Sequence, residues 1–188
     1  FTEYMKLDPY FRKNAHHMMT FSMEYAYSEN YILVLSHDEV VHLKCSMLNK
    51  MPGEGWDKFR NLKVAYAFMM GHPGKKLLFM GQDFGMENEW WEARQIDWEL
   101  TELSENTALM NYVRDLNKLY RNEPALYELD FDPEGFEWIN NISANECIVA
   151  FARKASDGSE LIVVANFTPV ERDKYKIGVP AMGKYKEI

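Results

Sequence analysis

The sequence predicts an α/β fold followed by a part built only of β-strands. In the first part, short apolar runs alternate with segments whose apolar residues recur at helical spacing. In the second part, which begins near Pro124, short runs rich in β-branched and aromatic residues follow one another. Strands that alternate with helices are typical of parallel sheets, so we expect two domains, residues 1–123 and residues 124–188.

The α/β part contains two predicted strands and two long predicted helices. The run 31–35 is apolar throughout, which is typical of a strand covered on both sides in a parallel sheet. A helix over residues 56–70 follows, and Gly71 provides a stop signal. The run 77–80 predicts the second strand, and apolar residues at helical spacing predict a last helix over 109–120.

The all-β part is predicted to be a meander of antiparallel strands. Its β-rich runs are residues 136–139, 147–151 and 161–165, with a further candidate strand at 175–177. A β-sandwich has about seven strands, and a complete (β/α)8 barrel has about 250 residues. We therefore expect the chain to be part of a longer protein, cut at both ends.

Composition excludes some classes of partner. The 21 Lys and Arg against 29 Asp and Glu give a formal net charge of −8, so neither nucleic acid nor an anionic membrane is an expected partner. No apolar run approaches the length of about 18 residues that a membrane span needs. Two distant cysteines favour a reducing, cytoplasmic location over a disulfide scaffold. A neutral ligand such as a sugar remains open.

The segment richest in reactive groups is 36–42, of sequence SHDEVVH, directly after the first strand. Its two histidines and two carboxylates raise the question of zinc. A zinc-binding helix carries histidines four residues apart, with Glu directly after the first. Here His37 and His42 are five apart, about 140° around a helix, and Asp38 follows the first. We therefore expect no metal site.

The position of Asp38 favours a different chemistry. In α/β barrels, residues at the carboxyl ends of strands face the active site. A carboxylate there stabilises a developing positive charge, as in the oxocarbenium-like transition state of glycosyl transfer. The alternative is that Asp38 caps a following helix, with Glu39 favoured near the helix N-terminus. The residues alone leave both interpretations open.

Several motifs in this order resemble the glycogen (1,4-alpha-glucan) branching enzymes of the alpha-amylase superfamily. They are residues 36–42 with Lys44, and the stretches LDPYFR (7–12), NKMPG (49–53), GKKLLFMG (74–81) and IDW (96–98). The resemblance covers most of the chain and fades in the second part. It implies the C-terminal portion of a (β/α)8 TIM barrel, with 31–35 as strand seven and 77–80 as strand eight, followed by the start of an all-β sandwich domain.

The resemblance also implies roles for individual residues. Asp38 would be the third catalytic carboxylate, which stabilises the transition state, and His37 would bind the sugar in the cleavage subsite. Glu39 is expected to contact substrate as well. The nucleophile and the acid/base carboxylate would lie upstream of Phe1, so we expect the chain alone to be inactive.

Further candidates follow the second strand. The indole faces of Trp90 and Trp91 suit stacking on sugar rings, although packing against the barrel is the alternative. Gln82 and Asp83 follow the end of the strand. We expect them to support residues of the active site without contacting the substrate. We expect the lysines in this region and before it to be solvated surface charges, namely Lys50, Lys75 and Lys76.

The implied activity cleaves α-1,4 glucan links and transfers the chain to a 6-hydroxyl, which forms α-1,6 branches in glycogen biosynthesis. Its partner would be an α-glucan such as glycogen or amylose, and it needs no cofactor. Two departures from the family are Leu43, where it usually has Gly, and Asp83, where it commonly has Glu. The alternatives are an amylase-type or trehalose-forming enzyme of the same superfamily, and a non-catalytic carbohydrate-binding or structural piece.

Overall fold

Two separate sheets contain the strands of the chain, which a computed structural model describes over residues 1–188. In the first sheet, β1 (Ile32–Leu35) pairs in parallel with β2 (Lys75–Leu78). The second sheet is antiparallel and has the order β3–β4–β5, with bounds Phe136–Asn140, Ile148–Lys154 and Glu160–Asn166. The predicted parallel pair and the predicted meander are both confirmed.

Five α-helices accompany these strands: α1 (Thr2–Lys6), α2 (His17–Thr20), α3 (Met47–Lys50), α4 (Trp56–Gly71) and α5 (Ser104–Asn122). Helix α4 lies between β1 and β2 along the chain, as a parallel pair requires, because its two strands need a long crossover connection. The helices predicted over 56–70 and 109–120 therefore both exist, with somewhat wider bounds. No helix is long and apolar enough to span a bilayer.

Strand β2 is displaced from the predicted run 77–80. It begins at Lys75, whose N–H donates to the carbonyl of Tyr31 at 3.2 Å. It ends at Leu78 because Phe79 turns out of the ladder: its N–H donates to Oε1 of Gln82, and its carbonyl accepts from the N–H of the same residue.

The expectation that β1 is covered on both faces is wrong within this chain. Leu35 is buried and Leu33 packs on the core, but Ile32 and Val34 are 53% and 49% exposed. Successive side chains of a strand point to opposite faces, and the core of this chain lies on only one of them. The predicted strand at 175–177 is also wrong, because Tyr175 is bound through its side-chain hydroxyl to Asn140 and Ser143 rather than through a ladder.

One hydrophobic core of 23 buried residues includes side chains from both sides of Pro124. Phe68 of α4 lies edge-on to Phe151 of β4 and to Phe167, with ring centroids 6.0 and 5.6 Å apart. Gly71 at the end of α4 allows close approach, since a Cβ there would lie 3.0 Å from the Val163 methyl groups of β5. The division of the chain into two domains stays a prediction.

Candidate functional site

Asp38 does not cap the helical turn that follows β1. The turn is a 3-10 helix over His37–Glu39, and its N-cap is Ser36, whose side chain accepts from the N–H of Asp38 at 3.3 Å. The side chain of Asp38 is therefore free for another role. It projects from the first turn after a parallel strand, where the sequence predicts a functional carboxylate.

The carboxylate of Asp38 is open to solvent and loosely held. Its side chain is 75% exposed. Oδ1 lies 3.3 Å from Nε2 of His37, and Oδ2 accepts from the hydroxyl of Ser36 at 3.4 Å. Both contacts are long for charge-assisted hydrogen bonds, so the carboxylate retains capacity for a ligand.

Aromatic rings from the second strand region surround His37. The imidazole centroid lies 5.9 Å from that of Phe79 and 6.3 Å from that of Trp90, and these two rings meet edge-on at 5.2 Å. The main chain adds a link, because the N–H of Trp90 donates to the carbonyl of Val40 at 3.0 Å. The segments that follow β1 and β2 are therefore in contact with each other.

The two tryptophans differ in environment. Trp90 packs against the core beside His37, whereas Trp91 is 59% exposed. Of the two alternatives, packing therefore applies to Trp90, whereas the indole of Trp91 is exposed to solvent. Gln82 is buried and holds the N–H of Phe79, so it supports the ring that faces His37. Asp83 is exposed and has no hydrogen bond to His37 or Asp38.

Glu39 is half-buried and acts on a different group. Its negative charge opposes the effect of burial on Lys50, where desolvation lowers the pKa of the ammonium. No hydrogen bond joins Glu39 to Asp38. No three His, Cys, Asp or Glu side chains lie close enough together to hold a metal ion.

The expectation that the lysines of this region are solvated surface charges is wrong for two of them. Lys50 is buried, and its ammonium donates to the carbonyl of Lys44. Lys76 donates to the carbonyls of His72 and Gly74, and burial lowers its pKa to about 7. Each ammonium thus has main-chain carbonyls as hydrogen-bond acceptors in place of water.

Glu89, an acidic residue near Asp38, was not among the residues predicted from the sequence. Both carboxylate oxygens of Glu89 accept main-chain N–H groups of the loop after Asp38: Oε2 from Leu43 at 3.0 Å and Oε1 from Cys45 at 2.6 Å. Within that loop, Lys44 donates from Nζ to the carbonyl of Asp38 at 2.7 Å. The sequence contains one hint of this arrangement, the Leu at 43 where the resembled family usually has Gly.

Comparisons with known proteins show what the chain as a whole is similar to. Residues 138–188 match the alpha amylase, C-terminal all-beta domain. This range contains most of the second sheet, from within β3 to the end of β5. The 1,4-alpha-glucan branching enzyme GlgB of Butyrivibrio fibrisolvens is 58% identical over 100% of this chain and 30% of its own length. Those of Rubrobacter xylanophilus and Aquifex aeolicus are 51% and 50% identical, over 99% and 98% of this chain.

The chain belongs to the family of 1,4-alpha-glucan branching enzymes. It spans between 26% and 30% of the length of the three relatives just described.

Proposed function

We propose that this chain supplies part of the active site of a 1,4-alpha-glucan branching enzyme, which cleaves an α-1,4 link and passes the donor chain to a 6-hydroxyl. The observation that carries the proposal is the exposed carboxylate of Asp38 beside His37 at the carboxyl end of β1. Similarity to branching enzymes over nearly the whole of this chain supports the same reaction.

The proposed architecture is a portion of a (β/α)8 barrel over residues 1–123 and the start of an all-β domain over 124–188. The parallel pair of β1 and β2, with α4 between them and α5 after them, supports strands seven and eight of such a barrel. In that fold the carboxyl ends of the strands form the active-site face.

Asp38 would act through its charge and not through a covalent bond. Cleavage of a glycosidic link passes through an oxocarbenium-like state, and a fixed carboxylate stabilises the positive charge that develops on the sugar ring. The imidazole of His37 would donate to a sugar hydroxyl, while Trp91 would offer its exposed face to a neighbouring ring. The nucleophile and the acid/base carboxylate are assigned to no residue of this chain.

A chimaeric enzyme tests the proposal. In it, this chain replaces the segment that it matches in the Butyrivibrio fibrisolvens branching enzyme, and the product is incubated with amylose. New α-1,6 linkages without new reducing ends support the transferase. Free reducing ends alone would indicate an amylase-type hydrolase, and the absence of either product from a folded chimaera would indicate a non-catalytic role.

A further inference from the structure

The loop of residues 42–45, next to the Asp38 turn, has an unusual backbone. His42, Leu43 and Cys45 have φ of 58°, 66° and 66°, in the left-handed region. A residue with a Cβ is disfavoured there, and three such residues in one loop persist only when the surroundings hold them. Leu43 contributes little itself, because its side chain is 94% exposed.

The carboxylate of Glu89 is the group that holds this loop. It accepts from the N–H groups of Leu43 and Cys45, one with each oxygen, at 3.0 and 2.6 Å. Hydrogen bonds to an ionised carboxylate are stronger than neutral ones, and two parallel bonds also fix direction. The next residue, Trp90, ties the same segment to Val40 through its main-chain N–H.

Lys44 lies between the two residues that Glu89 holds. Its ammonium donates to the main-chain carbonyl of Asp38 at 2.7 Å, and its own carbonyl accepts from the ammonium of Lys50. A continuous set of contacts therefore runs from Glu89 through the loop to the main chain of Asp38. The side chain of Asp38 has only long contacts of its own, so its position depends on that main chain.

We propose that Glu89 is a positioning residue for Asp38, which it holds through the loop 42–45 and Lys44. The inference rests on the proposed function, since it assumes that Asp38 acts on the transition state. A charge that stabilises a transition state must be held within a fraction of an ångström of its place, so release of the loop lowers turnover more than substrate affinity.

Three substitutions separate positioning from general support of the fold. Glu89→Gln keeps the size of the side chain but turns an amide group towards one of the two N–H groups. Leu43→Gly places at 43 a residue that adopts the left-handed region freely, so the loop then depends less on Glu89. Glu87→Gln is the matched control, because Glu87 is exposed and its side chain makes no hydrogen bond; only its main-chain carbonyl does, accepting from Asn49.

In the chimaeric enzyme, we expect Glu89→Gln to lower kcat by about 30-fold while KM stays within about threefold of the parent. Adding Leu43→Gly should recover at least about fivefold of the loss, and Glu87→Gln should match the parent. A purely structural role would lower the yield of folded enzyme and leave kcat per folded molecule unchanged, without rescue by glycine. A kcat for Glu89→Gln within about twofold of the parent overturns the inference.

Amide hydrogen exchange in the same chimaera decides the loop contacts without reference to activity. We expect the N–H groups of Leu43 and Cys45 to lose protection in Glu89→Gln, and to keep it in Glu87→Gln. Equal exchange in both variants overturns the inference even where turnover falls. A folded chimaera that forms no branches would instead reject the proposed function, and the exchange data would still show whether Glu89 holds the loop.

Discussion

The imidazole Nε2 of His37 lies 3.3 Å from Oδ1 of Asp38. Adjacent residues of a strand point to opposite faces. The contact exists because β1 has already ended at Leu35 and both residues belong to the 3-10 turn that begins at His37. Both side chains are more than half exposed, and an exposed pair of this kind contributes little to stability. The carboxylate therefore lies beside the imidazole whose ring is near those of Phe79 and Trp90.

Replacement of Asp38 by Asn in the chimaeric enzyme removes the negative charge and keeps the shape. We expect turnover to fall by about 1,000-fold, equivalent to about 4 kcal/mol in the barrier, because the charge matters chiefly in the transition state. Glucan affinity should remain near that of the parent. Asp115→Asn, at an exposed position of α5, is the control, and turnover of Asp38→Asn within about tenfold of the parent would reject the role.

Replacement of Trp91 should weaken the binding of glucan, whereas replacement of Trp98 should not. Trp91 and Trp98 are similarly exposed, at 59% and 55%, but only Trp91 directly follows Trp90, whose ring lies beside His37. We expect Trp91→Ala to raise KM for amylose about fivefold, or about 1 kcal/mol, with kcat unchanged, because it removes a stacking surface. Trp98→Ala should leave KM as it was. Equal KM values for the two variants would remove Trp91 from the substrate-binding residues.

Patterns of neighbouring residues in the sequence predicted the strands, the helices and their order along the chain. The order β1, α4, β2 follows from the apolar run 31–35 and from helical spacing over 56–70. Asp38 is recognisable because it belongs to the segment that directly follows a strand. The exposure of Val34 is not recognisable, because it depends on which elements cover that face. Lys50 likewise looks like a surface charge until the fold brings a carbonyl to it.

Glu89 could not be predicted for a similar reason. Its partners Leu43 and Cys45 lie 46 and 44 residues away along the chain, and no spacing rule connects them. The left-handed backbone is hinted at only at Leu43, where the family usually has Gly, the usual marker of that conformation; His42 and Cys45 carry no such marker. Residues that act through long-range main-chain contacts have no motif of their own.

A buried ion pair should be important for stability. Asp130 and Arg153 are almost fully buried, and their bond of 2.8 Å joins the segment before β3 to β4. Asp130→Asn leaves the guanidinium of Arg153 buried without its counter-charge, so we expect a loss of about 3 kcal/mol in the free energy of unfolding. Urea titration measures it, as a lower midpoint with an unchanged m value.

The matched control for that measurement is Glu137→Gln. Glu137 pairs with Lys154 at 2.6 Å on the surface, where an ion pair contributes at most about 1 kcal/mol. If Asp130→Asn destabilised the chain no more than Glu137→Gln does, burial would not be the origin of the effect.

His72 should make the stability of the chain depend on pH. It is buried, and its two nitrogens have different partners: the carbonyl of Pro73, which can only accept, lies 2.8 Å from Nδ1, and the hydroxyl of Ser22 lies 2.8 Å from Nε2. The neutral imidazole satisfies both, with Nδ1–H as donor and Nε2 as acceptor. Burial accordingly lowers the pKa of His72 to about 4, from 6.5.

Between those two pKa values, the unfolded chain binds a proton that the folded chain does not. The contribution of His72 to stability is therefore complete above pH 6.5 and is lost as the pH falls towards about 4, by about 3 kcal/mol in total. His72→Gln keeps a donor and an acceptor without a titratable group, so the difference in unfolding free energy between parent and variant should shrink or change sign over this interval. His17→Gln, at an exposed side chain, is the control. A parallel pH dependence of the parent and His72→Gln, measured by urea unfolding at steps of pH, would show that the buried imidazole is not the group responsible.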